Sequence, residues 1–458
     1  MNKKLLAAAV VSAFAAPVAM AQPANVTIYG NFEAQVNWAS STDATGATAN
    51  TSATTTGNGA GLGADRRMRI GQPGGSHIGF RGSENLGGGL SVVWQVESNI
   101  GGWDGTGTAN TFGSRDSFLG LSSGMGTLTL GHITTPYAAL VNGTVAAGSM
   151  FGATGPAGTT SILSNGNLAG GAMNLIATSG ATTANTYQSS FNRRQESAIQ
   201  YVSPNFNGLT GRLLMSANEA KSNGNAPTGN VSVGSVGSTT SGVTVTGQNP
   251  WMWSASLSYA SGPFNVGFAY EKHNEYRVLF GQALGNTGMV LAGRWTSGPF
   301  MVNAAWERLS YEMVTAASTG VQDLTRSAFA LQGQYSTGPH RLRASYARAQ
   351  SASNLNFSGG VASQTNATAC VNFICAGNTQ LNLAGTAGVA TQPTGSGANQ
   401  WSLGYGYALS KRTEVTLFYS KLNNDAMGQY NQVGGQSGII SGRGSDASVF
   451  GSGLRHSF

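Results

Sequence analysis

Eight polar side chains in this sequence share a setting that could act on charge. Asn31, Glu33, His77, Arg81, Glu97, Arg115, Arg193 and Arg194 lie in or beside stretches where apolar residues take alternate positions. Alternation puts successive side chains on opposite faces of a strand, so the apolar set fixes where the polar set points. With Ile78 and Phe80 on one face, His77 and Arg81 take the other. With Val92, Trp94 and Val96 on one face, Glu97 takes the other. With Phe118 on the apolar face, Arg115 is opposite; with Ile199 and Tyr201 there, Arg194 is opposite and Arg193 is at a rim or bend. Asn31 and Glu33 share the polar face of the first such stretch. Fixed charges on an inner wall do not make or break bonds; they set a field for ions that pass. The structural alternative for each is a solvated wall residue or a cross-strand ion pair.

The remaining reactive groups are two cysteines, Cys370 and Cys375. In an exported chain their C-x₄-C spacing suits a small disulfide loop. No His or further Cys is near enough in sequence to complete a metal site, so no metal is expected. There is no complete G-x-G-x-x-G after a strand, no P-loop and no H-E-x-x-H. No nucleophile elbow places a serine. The chain reads as a non-enzyme without cofactor. The basic run Arg66-Arg67-Met68-Arg69 reads as a solvated rim. A nucleic-acid partner is not expected, because basic faces are not clustered elsewhere.

The elements that position these groups are strands. Residues 1–21 have the form of a signal peptide: Lys3 and Lys4, an apolar stretch from Leu5 to Val18, and Ala19-Met20-Ala21 before the cut. Loss of the two lysines takes the formal charge from +7 to +5. After it, no run of about 18 apolar residues appears, so no membrane-crossing helix is expected. Charged residues make up 9% and Gly reaches 67, but 8 Trp, 14 Tyr and 18 Phe speak against disorder. Strict alternation runs through Val26–Trp38, and from Trp251, Phe264 and Trp401. The mean hydropathy of −0.10 suits strands with one apolar and one wet face.

Connections sort into two kinds. Seven are tight: Asn85–Gly88, Ser122–Gly124, Pro204–Gly208, Ser261–Pro263, Ser297–Pro299, Thr337–Pro339 and Ser410–Arg412. Three of these repeat an aromatic-x-Ser/Thr-Gly-Pro theme. Eight are long: about 40–64, 101–112, 135–192, 219–250, 273–288, 311–324, 351–398 and 423–445. Together they join 16 strands. The expected fold is all-β: a 16-stranded antiparallel transmembrane β-barrel, forming one domain over residues 22–458, with short turns at one mouth and long loops at the other. The alternation in Phe450, Leu454 and Phe458 suits a last strand ending at the membrane boundary.

Several segments carry a resemblance. Ile28-Tyr29-Gly30, the stretch Ser76 to Leu90, Phe118-Leu119-Gly120-Leu121, Gly126 to Gly131, Ser203-Pro204-Asn205-Phe206-Asn207-Gly208 and the end Gly453 to Phe458 are similar to the general trimeric porins of Gram-negative bacteria, of the β-proteobacterial type. The resemblance implies a homotrimer in the bacterial outer membrane, with short periplasmic turns and long extracellular loops. It implies passive diffusion of small hydrophilic solutes and ions, and a third loop folded inward; here that loop is Thr135–Asn192. It places His77, Arg115 and Arg193 or Arg194 in a basic ladder at the constriction; the alternation adds Arg81, Glu97, Glu33 and Asn31 on the same inner wall. The family's acidic counterpart on the third loop is missing, since Thr135–Asn192 holds no Asp, Glu, Lys or Arg. His132 stands where relatives more often have Arg. A weak anion preference follows. A channel selective for an uncharged or anionic solute is the alternative; a barrel lipase or protease and an adhesin are weaker ones.

Overall fold

A computed structural model describes residues 25–42, 65–71, 75–100, 112–144, 162–163, 191, 193–217, 250–279, 282–314, 321–352, 370–371, 374–375, 397–425, 430 and 444–458. The expected signal peptide, residues 1–21, lies outside them.

Sixteen antiparallel strands close on themselves. They are β1 (Asn25–Ser41), β2 (in two segments, Asp65–Gly71 and His77–Gly87), β3 (Leu90–Asn99), β4 (Ser117–Ser123), β5 (Gly126–Thr134), β6 (Arg194–Val202), β7 (Leu209–Ala217) and β8 (Trp251–Ser261). The second half is β9 (Phe264–Leu279), β10 (Gln282–Ser297), β11 (Phe300–Val314), β12 (Val321–Thr337), β13 (His340–Ala349), β14 (Ala398–Ala408), β15 (Thr413–Asn424) and β16 (Ala447–Ser457). Each strand pairs with its sequence neighbours, and β1 pairs with β16 from Asn31↔Ser457 to Ser41↔Ala447. Both segments of β2 pair with β1, so they count as one strand. Phe458 completes the seam: its N–H donates to the Gly30 carbonyl (3.1 Å) and its carbonyl accepts from the Gly30 N–H (3.2 Å). Closure leaves no edge, the condition for a sheet to sit in hydrocarbon.

The tight turns form where the sequence places them. Gly262, Gly298 and Gly338 take φ of +53°, +54° and +54°, each followed by Pro. Glycine at the first central position is what a type II′ hairpin requires.

Alternation also holds. Ile28, Leu257, Leu331 and Leu403 project outward and are 52–58% exposed. Asn31, Glu33, Gln35 and Asn37 project inward and are at most 6% exposed. Such a continuous apolar exterior marks a membrane-facing surface. Aromatic pairs reinforce it, among them Trp253–Tyr270, Phe300–Tyr335 and Trp401–Tyr419, with ring centroids 5.1–5.2 Å apart.

Where they are described, residues of two expected long loops, 273–288 and 311–324, are strand instead. β9 and β10 run to Leu279 and from Gln282, and β11 and β12 pair as far as Val314↔Val321. Residues such as Lys272, His273, Asn274 and Glu275 are polar on both faces, which reads as loop. A hairpin rising past the apolar belt is held by backbone hydrogen bonds, and those are indifferent to side-chain polarity. The register slips between His273 and Arg277, where Glu275 adopts φ +53°.

The chain between β5 and β6, whose composition predicts loop, contributes a helix. α1 (Pro136–Thr144) begins at a capped end: the Ala138 N–H donates to Thr135 Oγ1 (3.2 Å), and Pro136 occupies the first turn. At its other end the Arg294 guanidinium donates to the carbonyls of Gly143 (2.5 Å) and Thr144 (3.0 Å). α1 packs against the inner faces of β8 to β11. The wall makes room for it with small residues. A Cβ on Gly267 would stand 2.6 Å from Leu140 Cδ1, and Ala269, Ala292 and Ala305 on the same inner surface are buried. Part of the inner wall beneath α1 is therefore apolar, whereas simple alternation expects the interior polar all round.

Candidate functional site

Six of the eight predicted residues, Asn31, Glu33, His77, Arg81, Glu97 and Arg115, meet on the inner wall at β1 to β4, while Arg193 and Arg194 stand at the start of β6. Glu97 is their hub. It pairs with the Arg115 guanidinium, accepts the Tyr29 hydroxyl at 3.0 Å and lies 3.9 Å from His77 Nε2. Arg115 Nη1 also donates to Asn99 Oδ1 (3.0 Å). Arg81 lies over the Tyr29 ring at 5.0 Å. His77 Nδ1 is 2.8 Å from the Gly75 carbonyl.

Next to this hub, Glu33 fills the space beside the break in β2. Its N–H donates to Ser76 Oγ (2.9 Å) and Asn31 Nδ2 donates to its Oε1 (2.9 Å). The carboxylate lies close against Gly75, where a Cβ would stand 3.0 Å from Glu33 Oε2. Arg455 Nε reaches the same carboxylate at 3.3 Å. Glu33 is 1% exposed and Arg455 42% at the side chain, so the carboxylate is covered and the guanidinium faces the interior.

Two expectations of parity need correction. Phe118 points inward, not outward: it pairs with Gln95 and Gly131 and packs against buried Ile133, Ala198, Leu214 and Met252. Leu119, 60% exposed, holds the outer position. Arg115 still reaches Glu97, because it precedes β4 and sits in a bend where alternation does not apply. Arg194 is displaced by a bulge. Ser197, at φ +49°, adds a residue on β6, so Gln195 shares the inner face with Ile133 and Arg194 pairs with Thr134. Arg194 Nε lies 3.5 Å from Asp116 Oδ2, and Thr134 Oγ1 donates to the same oxygen at 2.8 Å. Arg193 is buried, and its carbonyl accepts from the Thr135 N–H (3.2 Å), at the entry to α1.

A second charged cluster was not read from the sequence. Arg326 on β12 and Glu307 on β11 form an ion pair with both side chains fully buried. The Tyr137 hydroxyl of α1 donates to Glu307 Oε2 at 2.9 Å. Arg326 Nη1 donates to the Ile162 carbonyl (2.8 Å) and the Tyr430 hydroxyl (3.3 Å). Burial, and then the Glu307 carboxylate, hold the Tyr137 phenol well above its ordinary pKa, so it stays a donor. One guanidinium thus joins the segment after β5 to the segment after β15. Nearby, His273 and Glu271 pair at 2.8 Å and the Phe191 ring stacks on His273 at 4.8 Å. Asp116 and Arg455 were also missed, although Leu454 on the outer face already turns Arg455 inward.

The cysteines fall in a separate two-stranded ladder in which Cys370 and Cys375 are direct partners. Directly opposed strand residues have Cα atoms about 4.5–5.5 Å apart, within the range a disulfide spans. Among the described residues no group of three or more His, Cys, Asp or Glu could hold a metal.

Comparison with known proteins adds the following. Residues 7–427 match the Gram-negative porin family. Major outer membrane protein P.IB of Neisseria meningitidis is 35% identical over 133 residues, which is 29% of this chain and 34% of that protein. P.IA of the same species is 44% identical over 63 residues, 14% of this chain and 16% of that protein. The matched stretches thus span well under two thirds of these curated relatives. Among solved structures, the anion-selective porin from Comamonas acidovorans superposes with a TM-score of 0.60 at 20% identity, covering 95% of this chain and 100% of that one. The trimer form of OmpT from Vibrio cholerae gives 0.55 at 12% identity, covering 95% and 100%. These last two establish the shared barrel fold.

Proposed function

The chain belongs to the Gram-negative porin family, and from that premise we propose that it is a passive diffusion channel for small hydrophilic solutes and ions across the outer membrane, with a weak preference for anions. The observation that carries the reading is the closed 16-stranded barrel with an apolar exterior and a charged sector on its inner wall. A barrel of this size is wide enough for water, and the charges on its wall then decide which ions pass.

Anion preference is supported by the placement of charge. Residues 135–192 contain no acidic side chain. On the wall, Glu33 and Glu97 are 1% and 9% exposed at the side chain, while Arg115, Arg194 and Arg455 are 16%, 30% and 42% exposed. Glu33 and Glu97 sit behind guanidiniums, and of the acidic groups at this site only Asp116, paired with Arg194, is comparably exposed at 24%, so cationic N–H donors dominate what an entering ion meets. Arg115, Arg194 and His77, with Arg81, Arg193, Glu97, Glu33 and Asn31, are the residues proposed to line the constriction. Homotrimeric assembly fits the family and the trimer form of the OmpT structure. Residues 1–21 are proposed to be the export signal and 22–458 the barrel. Lipid and lipopolysaccharide are the proposed surroundings, and a Cys370–Cys375 disulfide the proposed brace of the loop that carries it.

Reversal potentials in a KCl gradient test the preference. A potential of the anion-selective sign is expected, and a clear cation preference refutes it. The uncharged 135–192 segment also suits a channel selective for one uncharged solute. Liposome swelling with sugars of graded size separates the two: ranking by size alone supports general diffusion, and saturation by one sugar supports selectivity.

A further inference from the structure

We propose that the inner wall of β13 to β16 holds a second station, a binding site for small oxyanions of two negative charges. It rests on the reading of the barrel as an open, anion-preferring channel, and it involves none of the residues nominated for the constriction except Glu33.

The site is made possible by two missing side chains. Arg341 and Arg343 face inward on β13, and their partners across β14 are Gly406 and Gly404. With no side chain between, both guanidiniums cross β14 and reach Glu414 on β15. Arg343 Nη1 lies 2.6 Å from Glu414 Oε1 and Nη2 lies 3.3 Å from Oε2. Arg341 Nη1 pairs with Oε2 of the same carboxylate. Arg343 Nε is fixed by Gln334 Oε1 at 2.8 Å. A Cβ on Gly406 would stand 2.5 Å from Glu414 Oε1 and 3.1 Å from Arg343 Nη1, so any larger residue there must push the Glu414 carboxylate out of this position. Arg455 on β16 is the cross-strand partner of Glu414 and of Glu33.

Three guanidiniums therefore share two carboxylates, and their exposure is unequal. Arg341 and Arg455 are 38% and 42% exposed at the side chain, whereas Glu414 and Glu33 are 13% and 1%; Arg343, at 10%, is set into the wall with Glu414. Negative charge is set into the wall and positive charge faces the interior. Arg341 and Arg455 each bring further N–H donors beyond the bond drawn to its carboxylate, in the forked geometry that takes a carboxylate or phosphate group bidentately. Both Arg341 and Glu414 are the second residue of their strands, directly after a tight turn. Arg115 and Arg194 stand at the opposite strand ends. The station lies toward the short-turn mouth, so an anion crossing the barrel meets cationic groups at both ends.

The test is single-channel recording in KCl with succinate or inorganic phosphate added. In the unaltered protein each is expected to reduce current with a saturating dose dependence. Arg341→Gln should raise the half-blocking concentration about tenfold to a hundredfold, on the order of one charge-assisted hydrogen bond. Arg343 still neutralises Glu414 in that variant, so the barrel folds. Gly406→Ala alters no charge and should shift the block in the same direction, because the methyl group displaces Glu414. Non-saturating block, or equal block in the unaltered protein and both variants, overturns the station. The KCl reversal potential of the same channels keeps the two readings apart. An anion-selective channel without succinate or phosphate block removes the station alone; a cation-selective channel removes the underlying reading as well.

Discussion

Arg326 offers the sharpest perturbation of the barrel interior. Its guanidinium holds Glu307, the Ile162 carbonyl at 2.8 Å and the Tyr430 hydroxyl at 3.3 Å, and its side chain has no exposed surface. Arg326→Leu leaves the Glu307 carboxylate buried without its cation. Removing one member of a buried pair costs about 3–5 kcal/mol. None of these contacts belongs to the barrel ladders, so the cost falls on the docking of the inward segments and not on closure. At about 1.4 kcal/mol per tenfold, the undocked population rises by about two to three and a half powers of ten. Single-channel recordings should show larger or noisier open currents, while the barrel still resists unfolding in detergent. The double change Arg326→Leu with Glu307→Leu removes both charges and should restore quieter currents, since an apolar replacement of a buried pair is close to neutral. Currents of Arg326→Leu that match the unaltered channel, or a double variant worse than the single, would refute this account of the interior.

Three further outcomes can be checked. Gly267→Val places methyl groups where Leu140 Cδ1 now sits, costs about 1–3 kcal/mol of packing and pushes α1 toward the barrel axis; a fall in single-channel conductance is expected, and an unchanged one argues against α1 on that wall. Phe458→Ala strips a ring whose Cζ lies 2.5 Å from where a Gly30 Cβ would be. It keeps the backbone bonds of the seam, so the unfolding midpoint in detergent micelles should fall by about 1–2 kcal/mol equivalent. Finally, Cys370 and Cys375 should resist alkylation in the unfolded, unreduced protein and react fully after reduction; two thiols titrated without reductant would exclude the disulfide.

Fold and site were legible to different depths. Outward-facing residues announced the barrel because lipid tolerates only apolar groups, so Ile28, Leu257 and Leu403 keep strict time along their strands. The Gly-Pro turns were equally plain, since a type II′ hairpin admits few residues. Inward positions obey no single rule. Ala269, Ala292 and Ala305 face inside yet are apolar, because α1 covers them, and nothing local in those strands says so. Thr135-Pro136 did carry the signal of a capped helix start, in a stretch taken as loop for its Gly and Ala content. Phe118 misled because an inward aromatic breaks alternation where a second apolar cluster forms around Ile133 and Leu214. Arg194 misled because the Ser197 bulge is a backbone event with no obvious residue signature. Arg326 and Glu307 lie 19 residues apart on neighbouring strands, and only the pairing register brings them together.

The account stands on a water-filled passage through a lipid-embedded cylinder. Purified protein added to a planar lipid bilayer in KCl tests this directly. Discrete current steps that scale with salt concentration, with a reversal potential of the anion-selective sign in a gradient, are the predicted result. A bilayer that stays electrically silent with demonstrably inserted, folded protein would contradict it.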